Sequence, residues 1–244
     1  MKKCFVHRCP RENRSGLRAK QAAALALAVL LIAAASAQNF PDAEAVLANV
    51  RLHQSTQRLD LRGQLRQDAT VVPFELVQNG PVIRYIFRNP DQTFELRLGA
   101  NDSELEQLGP RSGTHATAVP LDEHVRGTAI TFEDLSLRFL YWPGARIIGA
   151  DFIRTRNCWK LALTAPANES QYGNVTLWVD KDGGALMRME AADRAGRLLR
   201  RFEVVSAQKI GDRWYLKQMR IEAIDAASGK VTGRTYLEII NPPS

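Results

Sequence analysis

The feature that most constrains this chain is a period of two. In short segments along most of its length, apolar residues recur at every second position, and clusters of Gly, Pro, Asn or Asp separate the segments. In Arg58 to Arg66, Leu59, Leu61 and Leu65 alternate with Asp60, Arg62 and Gln64. In Val72 to Gln78, Val72, Phe74 and Leu76 alternate with Pro73, Glu75 and Val77. Asn79-Gly80 then marks a two-residue hairpin, and Pro81 to Arg88 returns with Ile83, Tyr85 and Phe87 on one side. Asn89-Pro90-Asp91 turns the chain again, before Phe94, Leu96 and Leu98 alternate with Glu95 and Arg97. Successive side chains of a strand point to opposite faces, so each segment buries one face and wets the other. That is the pattern of an antiparallel sheet apolar on one side.

The last third repeats the theme. Trp159, Leu161 and Leu163 share a face, as do Val175, Leu177 and Val179. Lys181-Asp182-Gly183-Gly184, Arg194-Ala195-Gly196, Gly211-Asp212 and Ser228-Gly229-Lys230 bound strands near 185–193, 197–210, 213–225 and 231–240. Nine or ten strands are expected in all. Helices are few. Pro41 to about Arg51 reads as one, with Asp42 and Glu44 at its positive end and Ala43, Val46, Leu47 and Val50 on one face. A second opens at Thr131, which can cap it, with Asp134 at the capping-box position. Phe132, Leu135, Phe139 and Trp142 form its apolar stripe, and Pro143-Gly144 ends it. Between the two strand runs, Gly99 to Gly127 is polar, with no periodicity apart from a short turn at Ser103 to Gln107. Connections this long are often mobile or functional. The fold class is therefore mainly β with a little α. Either the sheet closes around packed side chains, or it curls around a cavity that a helix covers.

Charge bears on one class of function. The chain carries 33 Lys+Arg against 26 Asp+Glu, a net of +7. Seven of the basic residues (Lys2, Lys3, Arg8, Arg11, Arg14, Arg18 and Lys20) and one acidic residue, Glu12, fall within the first 37 positions. Without them, 26 basic face 25 acidic residues, so almost all the excess charge sits in one N-terminal segment and the main argument for a nucleic-acid partner weakens. The basic stretch runs into an uncharged segment, Ala22 to Ala35, and then into Ala35-Ser36-Ala37. Those fourteen residues make about 21 Å of helix, short of the roughly 30 Å of a bilayer core. Basic region, short apolar region and small-residue cleavage site together read as a secretory signal, residues 1–37, cut after Ala37. The expected product is one soluble periplasmic domain, residues 38–244, with a single cysteine, Cys158, read as a small buried hydrophobe.

Catalytic and metal signatures are sparse. No G-x-S-x-G, G-x-x-x-x-G-K, H-E-x-x-H or C-x-x-C occurs. His53, His115 and His124 are scattered, and Asp122-Glu123-His124 reads as a solvated loop. Asp180-Lys181-Asp182-Gly183-Gly184 resembles half of a calcium loop but lacks the distal Glu, so it reads as a hairpin turn. Arg200-Arg201 sits inside a strand, where neighbours point to opposite faces, so the pair is not one phosphate clamp. One of the two can still face the interior. The reading is a non-enzyme without cofactor or metal.

Three segments carry a family resemblance. Thr131-Phe132-Glu133-Asp134-Leu135 through Arg138-Phe139-Leu140-Tyr141-Trp142-Pro143 resembles the "edL…rFLyWp" segment of the LolA-like outer-membrane lipoprotein-sorting proteins. Leu177-Trp178-Val179-Asp180-Lys181 to Gly184 is similar to their "lWvDk..g" hairpin, and Asp212-Arg213-Trp214-Tyr215 to Met219 to their "g.w.pk.m" strand. The likeness runs from about Phe40 to Ile240. It implies a half-barrel of the LolA, LolB and RseB type: an open, strongly curved antiparallel sheet whose concave face is covered by short helices acting as a lid. It also implies a cavity that takes up lipoprotein acyl chains and carries them across the periplasm. Related domains of the same architecture act as lipid-responsive sensors that regulate a membrane partner.

The residues themselves are compatible with that implication, because burying an acyl chain is worth about 0.8 kcal/mol per methylene without any catalytic group. On this reading Leu59, Leu61, Val72, Phe74, Leu76, Tyr85, Phe94 and Leu96 line the cleft. Phe132, Leu135, Phe139 and Trp142 belong to the lid helix, with Gly127 and Pro143-Gly144 as its hinges. The alternative is that the same residues fill an ordinary core. The partners implied are lipoprotein acyl chains or lipid, and membrane proteins that deliver and receive them; the protein is expected to be a monomer. A hydrolase with a dispersed carboxylate pair has no positive support.

Overall fold

The computed structural model describes residues 40–109, 116–166, 170–210 and 213–241. The expected export segment, its cleavage site and His115 lie outside the described residues. One antiparallel sheet dominates. Its strands are β1 (Arg58–Gln67), β2 (Thr70–Asn79), β3 (Val82–Phe87), β4 (Gln92–Leu98), β5 (Ser103–Leu108), β6 (Thr117–Ala118), β7 (Arg146–Ile153), β8 (Arg156–Thr164), β9 (Asn174–Asp180), β10 (Leu186–Ala192), β11 (Leu198–Ile210), β12 (Arg213–Ile224) and β13 (Val231–Asn241). Their order across the sheet is β6-β5-β4-β3-β2-β1-β13-β12-β11-β10-β9-β8-β7, so the sheet is open, with β6 and β7 at its edges. Apart from the β1–β13 seam, every pairing joins strands consecutive in sequence.

Register converts the period of two into a continuous apolar face. Leu61 stands opposite Leu76, Leu76 opposite Tyr85, Tyr85 opposite Phe94, and Leu96 opposite Leu105. In the other half, Phe202 is flanked by Met189 and Ile221, Met189 by Leu177, and Leu177 by Leu161. A close approach occurs in β1, where the register shifts between Arg62 and Gly63. A Cβ on Gly63 would sit 2.6 Å from the Phe74 ring and 2.7 Å from the Glu238 carbonyl oxygen, so only glycine fits without displacement.

Two helices and an irregular strap lie against this inner face. Helix α1 (Ala43–Ser55) is capped by the Asp42 carboxylate, which accepts the Glu44 and Ala45 amides, both at 3.3 Å. Its Ala43, Leu47 and Val50 pack in one cluster with Leu161, Leu163, Val175, Leu177, Val179 and Met189. Helix α2 (Phe132–Ser136) is only five residues long. The expected continuous helix from Thr131 to Pro143 is therefore corrected: Leu137 adopts a left-handed conformation (φ 55°), and Arg138–Tyr141 continues as a 3₁₀ turn. The expected turn at Ser103 to Gln107 is also corrected, because that segment is β5 and pairs with β4. So is the strand total, which among the described residues is thirteen and not nine or ten.

Candidate functional site

The sequence-predicted cleft residues come together on the inner face of β1–β4. Leu61, Phe74, Phe94 and Leu96 are buried, while Leu59, Val72, Leu76 and Tyr85 are half-buried. Phe74, Phe94 and Leu96 share a cluster with Leu65, Ile83, Phe87, Leu98, Leu105 and Ile221, and Val72, Leu76 and Tyr85 pack against it. Burial pushes the Tyr85 phenol well above its ordinary range. Aromatic rings run through the cluster: Phe74, Phe87, Phe94 and Phe132 are linked at centroid distances of 6.3, 6.0 and 4.7 Å.

The predicted lid residues do not act as one stripe. Phe132 lies in the cluster of β1–β5, with Leu135 packed against it. Phe139 and Trp142 belong to the cluster under α1, on the far half of the sheet. Because the helix breaks at Leu137, residues that helical spacing would align are shared between two clusters, and Leu137 itself touches both. The proposed hinges sit at positive φ, +70° at Gly127 and +74° at Gly144, where a β-carbon would find no neighbour within 4 Å.

Polar ties hold the strap, residues 119–142, against the sheet. The Ala129 amide donates to Gln67 Oε1 (2.8 Å) on β1 and to Thr235 Oγ1 (2.9 Å) on β13. Ser103 Oγ on β5 donates to the Ser136 carbonyl at 2.6 Å, and Arg51 Nη1 of α1 to the Leu140 carbonyl at 2.8 Å. The Thr131–Asp134 capping box expected from the sequence is formed. It is buried and extended by a residue the sequence reading did not single out, Tyr172, whose hydroxyl donates to Asp134 Oδ1 at 2.6 Å. Asp134 Oδ2 accepts from the Thr131 amide (2.8 Å) and hydroxyl (2.9 Å). Glu133, 3% exposed, accepts from the Ser170 hydroxyl and from the Gln171 amide at 3.2 Å. Burial pushes the Asp134 carboxyl up against the opposing pull of its hydrogen-bond donors and of Arg200. Burial, reinforced by Asp134, also pushes the Tyr172 phenol well up. Tyr172 lies in a polar stretch without periodicity, so no local pattern links it to a carboxylate 38 residues earlier.

The remaining motifs take the following places in the fold. Cys158 is fully buried with Ile153 and Trp178, and burial raises its thiol. Asp180 caps the β9–β10 turn, accepting the Gly183 amide at 2.9 Å, and ion-pairs with Arg156. His124 Nδ1 lies 2.7 Å from the Thr128 carbonyl. Among the described residues, no three His, Cys, Asp or Glu side chains gather as a metal site, and no helix is long and apolar enough to cross a membrane.

An opening lies between α1 and the end of the sheet formed by β8, β9 and the β9–β10 turn. It is a cleft of about 200 Å³ lined by Val46, Asn49, Trp159, Val179, Lys181 and Gly184. Lys181 Nζ stands 3.8 Å from the centre of the Trp159 ring, and Phe40 meets that ring edge-on at 6.1 Å.

Comparison with solved structures places this architecture. A LolA superfamily protein from Nitrosomonas europaea aligns over 84% of this chain and 94% of its own, with a TM-score of 0.62 and 15% identity. A DUF1329 family protein from Desulfovibrio piger aligns over 84% and 93%, with a TM-score of 0.61 and 17% identity. A candidate outer membrane lipoprotein-sorting protein domain from Vibrio parahaemolyticus aligns over 82% and 92%, with a TM-score of 0.62 and 16% identity. No curated protein matches the sequence. One family model, described as "-like: Uncharacterized protein", matches residues 114–240, a little over half of the chain and all of the strap. The chain belongs to that family, and it carries the LolA-like fold its sequence resembles.

Proposed function

We propose that the protein is a periplasmic, non-enzymatic carrier that shelters acyl chains of lipoproteins or lipids between its sheet and the strap. One observation carries this reading. The inner face is a continuous apolar surface covered by α1 and by a strap of short helical pieces, not by a second sheet. Such a cover can separate from the sheet without breaking any strand pairing. Gly127 and Pro143-Gly144 flank the part of the strap that carries Phe132 to Trp142 and serve as its hinges, and Leu59, Leu61, Val72, Phe74, Leu76, Tyr85, Phe94 and Leu96 are the surface an acyl chain would replace it on. In this reading Phe132, Leu135, Phe139 and Trp142 are the lid's apolar contacts, withdrawn in two steps because they belong to two clusters.

The N-terminal 37 residues would direct export and be removed, leaving residues 38–244 as one monomeric domain without cofactor or nucleic-acid partner. Its partners would be acylated proteins or lipids and the membrane proteins that hand them over. Lipoprotein sorting is the function in the description of one structural relative, and that supports the reading. The test is purification from the periplasm under native conditions, mass spectrometry of what co-elutes, and titration with a fluorescent fatty acid. Co-purified lipid or acylated protein with saturable binding is the expected result. An empty protein that binds no fatty acid sinks the proposal.

A further inference from the structure

Arg200 and Arg201 are neighbours in β11, and the pleat sends them to opposite faces. Arg201 faces outward, where its Nε donates to Glu190 Oε1 at 2.8 Å and its Nη1 lies 3.5 Å from Glu222. Arg200 faces inward, on the apolar side. Directly across the sheet it has Ala191 of β10 on one flank and Ala223 of β12 on the other, side chains that reach no further than Cβ. Two positions along the same face stands Phe202, which packs against both apolar clusters.

The guanidinium is poorly satisfied there. Nη1 donates to the Leu199 carbonyl at 3.1 Å, while Nε is shielded from solvent and has no hydrogen-bond partner. Among the described residues no carboxylate forms an ion pair with Arg200. Asp134 is near enough to feel its charge, but it accepts from Thr131 and Tyr172 and makes no hydrogen bond to Arg200. A guanidinium has five N–H donors in a planar fork, suited to two oxygens of one anion. A buried donor left open in an otherwise apolar surface calls for a partner.

We propose that Arg200 receives the anionic head of an amphiphile whose acyl chain lies on the inner face. This rests on the acyl-chain reading above and narrows its ligand to lipids bearing an oxyanion, the carboxylate of a fatty acid or the phosphate of a phospholipid. Arg200 is the specificity-determining residue, and the aliphatic and aromatic residues around it supply affinity for the chain without discriminating between heads. The sheet pleat explains why one arginine of the pair is structural and the other is left open.

The test compares a fluorescent sixteen-carbon fatty acid with its methyl ester, and phosphatidic acid with the matching diacylglycerol, on the mature chain and its Arg200→Gln and Arg200→Lys variants. The wild type is expected to bind each anionic lipid about ten- to a hundred-fold more tightly than its neutral counterpart, the range of a charge-assisted hydrogen bond. Arg200→Gln should close that gap and leave ester and diacylglycerol binding unchanged. Arg200→Lys should recover part of it, since charge is kept and the fork is lost. Preference in one pair alone tells carboxylate from phosphate. Equal binding of anionic and neutral lipids by the wild type overturns the assignment without needing any variant. An equal loss for both in Arg200→Gln overturns it too, because the residue would then serve packing. Binding of neither lipid class removes the acyl-chain reading as well, an outcome distinct from loss of head discrimination.

Discussion

Along β11 and β12, Phe202, Ile221 and Ala223 stand on the inner face. One position away on the outer face of the same strands stand Arg201, Glu203, Arg220 and Glu222. The outer set is a lattice of cross-strand ion pairs. Glu203 takes Arg188 at 2.5 Å, with Arg154 and Arg220 at 3.6 and 3.7 Å; Glu222 takes Arg234 at 2.9 Å, with Arg201 at 3.5 Å. Each face also carries residues of the other's chemistry, Trp178 outside and Arg200 inside among them. Trp178 lies on the outer face, 3% exposed, its indole N–H on Asp151 Oδ2 at 3.1 Å and the cations of Lys160 and Arg188 4.9 and 5.4 Å from its ring. Trp178 is fully provided for, whereas Arg200 is not. The inner face therefore draws stability from filled volume and the outer face from paired charges, with Glu203 and Glu222 buried among their arginines.

This contrast breaks most directly at Phe94. It is 2% exposed and touches the rings of Phe87 and Phe132. Phe94→Ala should cost about 3–5 kcal/mol of unfolding free energy, read by denaturant titration, because a large cavity opens among side chains that cannot collapse into it. A loss below 1 kcal/mol would show a face already loose enough to hold a ligand-sized space.

A middle effect should appear in acid. Glu238 on β13 accepts from Arg66 (2.7 Å), Gln64 (2.7 Å) and Gln218 (2.9 Å), which together hold its carboxyl down at about 2. A carboxyl whose folded-state value is depressed adds stability above its unfolded value, and that stability fades as pH falls from there through the folded value. Wild type should thus exceed Glu238→Gln at pH 6, and the gap should close between pH 4.5 and about 2. Thermal unfolding across that range measures it, and a gap independent of pH would show that Glu238 acts by packing. The smallest effect belongs to the outer lattice. Arg234→Ala, on a side chain 49% exposed, should cost less than about 1 kcal/mol and still less in high salt.

The two faces were also unequally legible in the sequence. Alternation at Leu59–Leu65, Val72–Leu76 and Phe94–Leu98 located the inner face because burial on one side leaves a direct imprint on every second residue. Where that imprint fails, the reading failed with it. In β5, Leu105 is the only large apolar residue among its buried positions, and Ser103 is buried by its bond to Ser136. In β7, the register shift between Ile147 and Gly149 breaks the alternation. The stripe Phe132, Leu135, Phe139 and Trp142 had true helical spacing, yet the left-handed Leu137 divides it, since two clusters on different halves of the sheet compete for its ends. Arg200 was within reach of parity alone. Its open Nε depends on two alanines in neighbouring strands, a relation that exists only after pairing.

The position of β13 bears on how the molecule assembles. Every strand pairing but one joins elements consecutive in sequence, so β1–β6 and β7–β13 can each grow as a run of local hairpins. The exception, β1 with β13, brings together residues such as Gln64 and Glu238, 174 positions apart. Closing so long a loop is slow to search for, although doubling its length adds only about 0.6 kcal/mol of entropy. The Ala129 amide lies across this seam, bonded to Gln67 on one side and Thr235 on the other, so the same strap that covers the apolar face also clamps the late joint. A chain that has formed both meanders but not the seam would expose two half-faces of apolar surface. It is in that interval, before the strap settles, that the protein would most need protection from other chains.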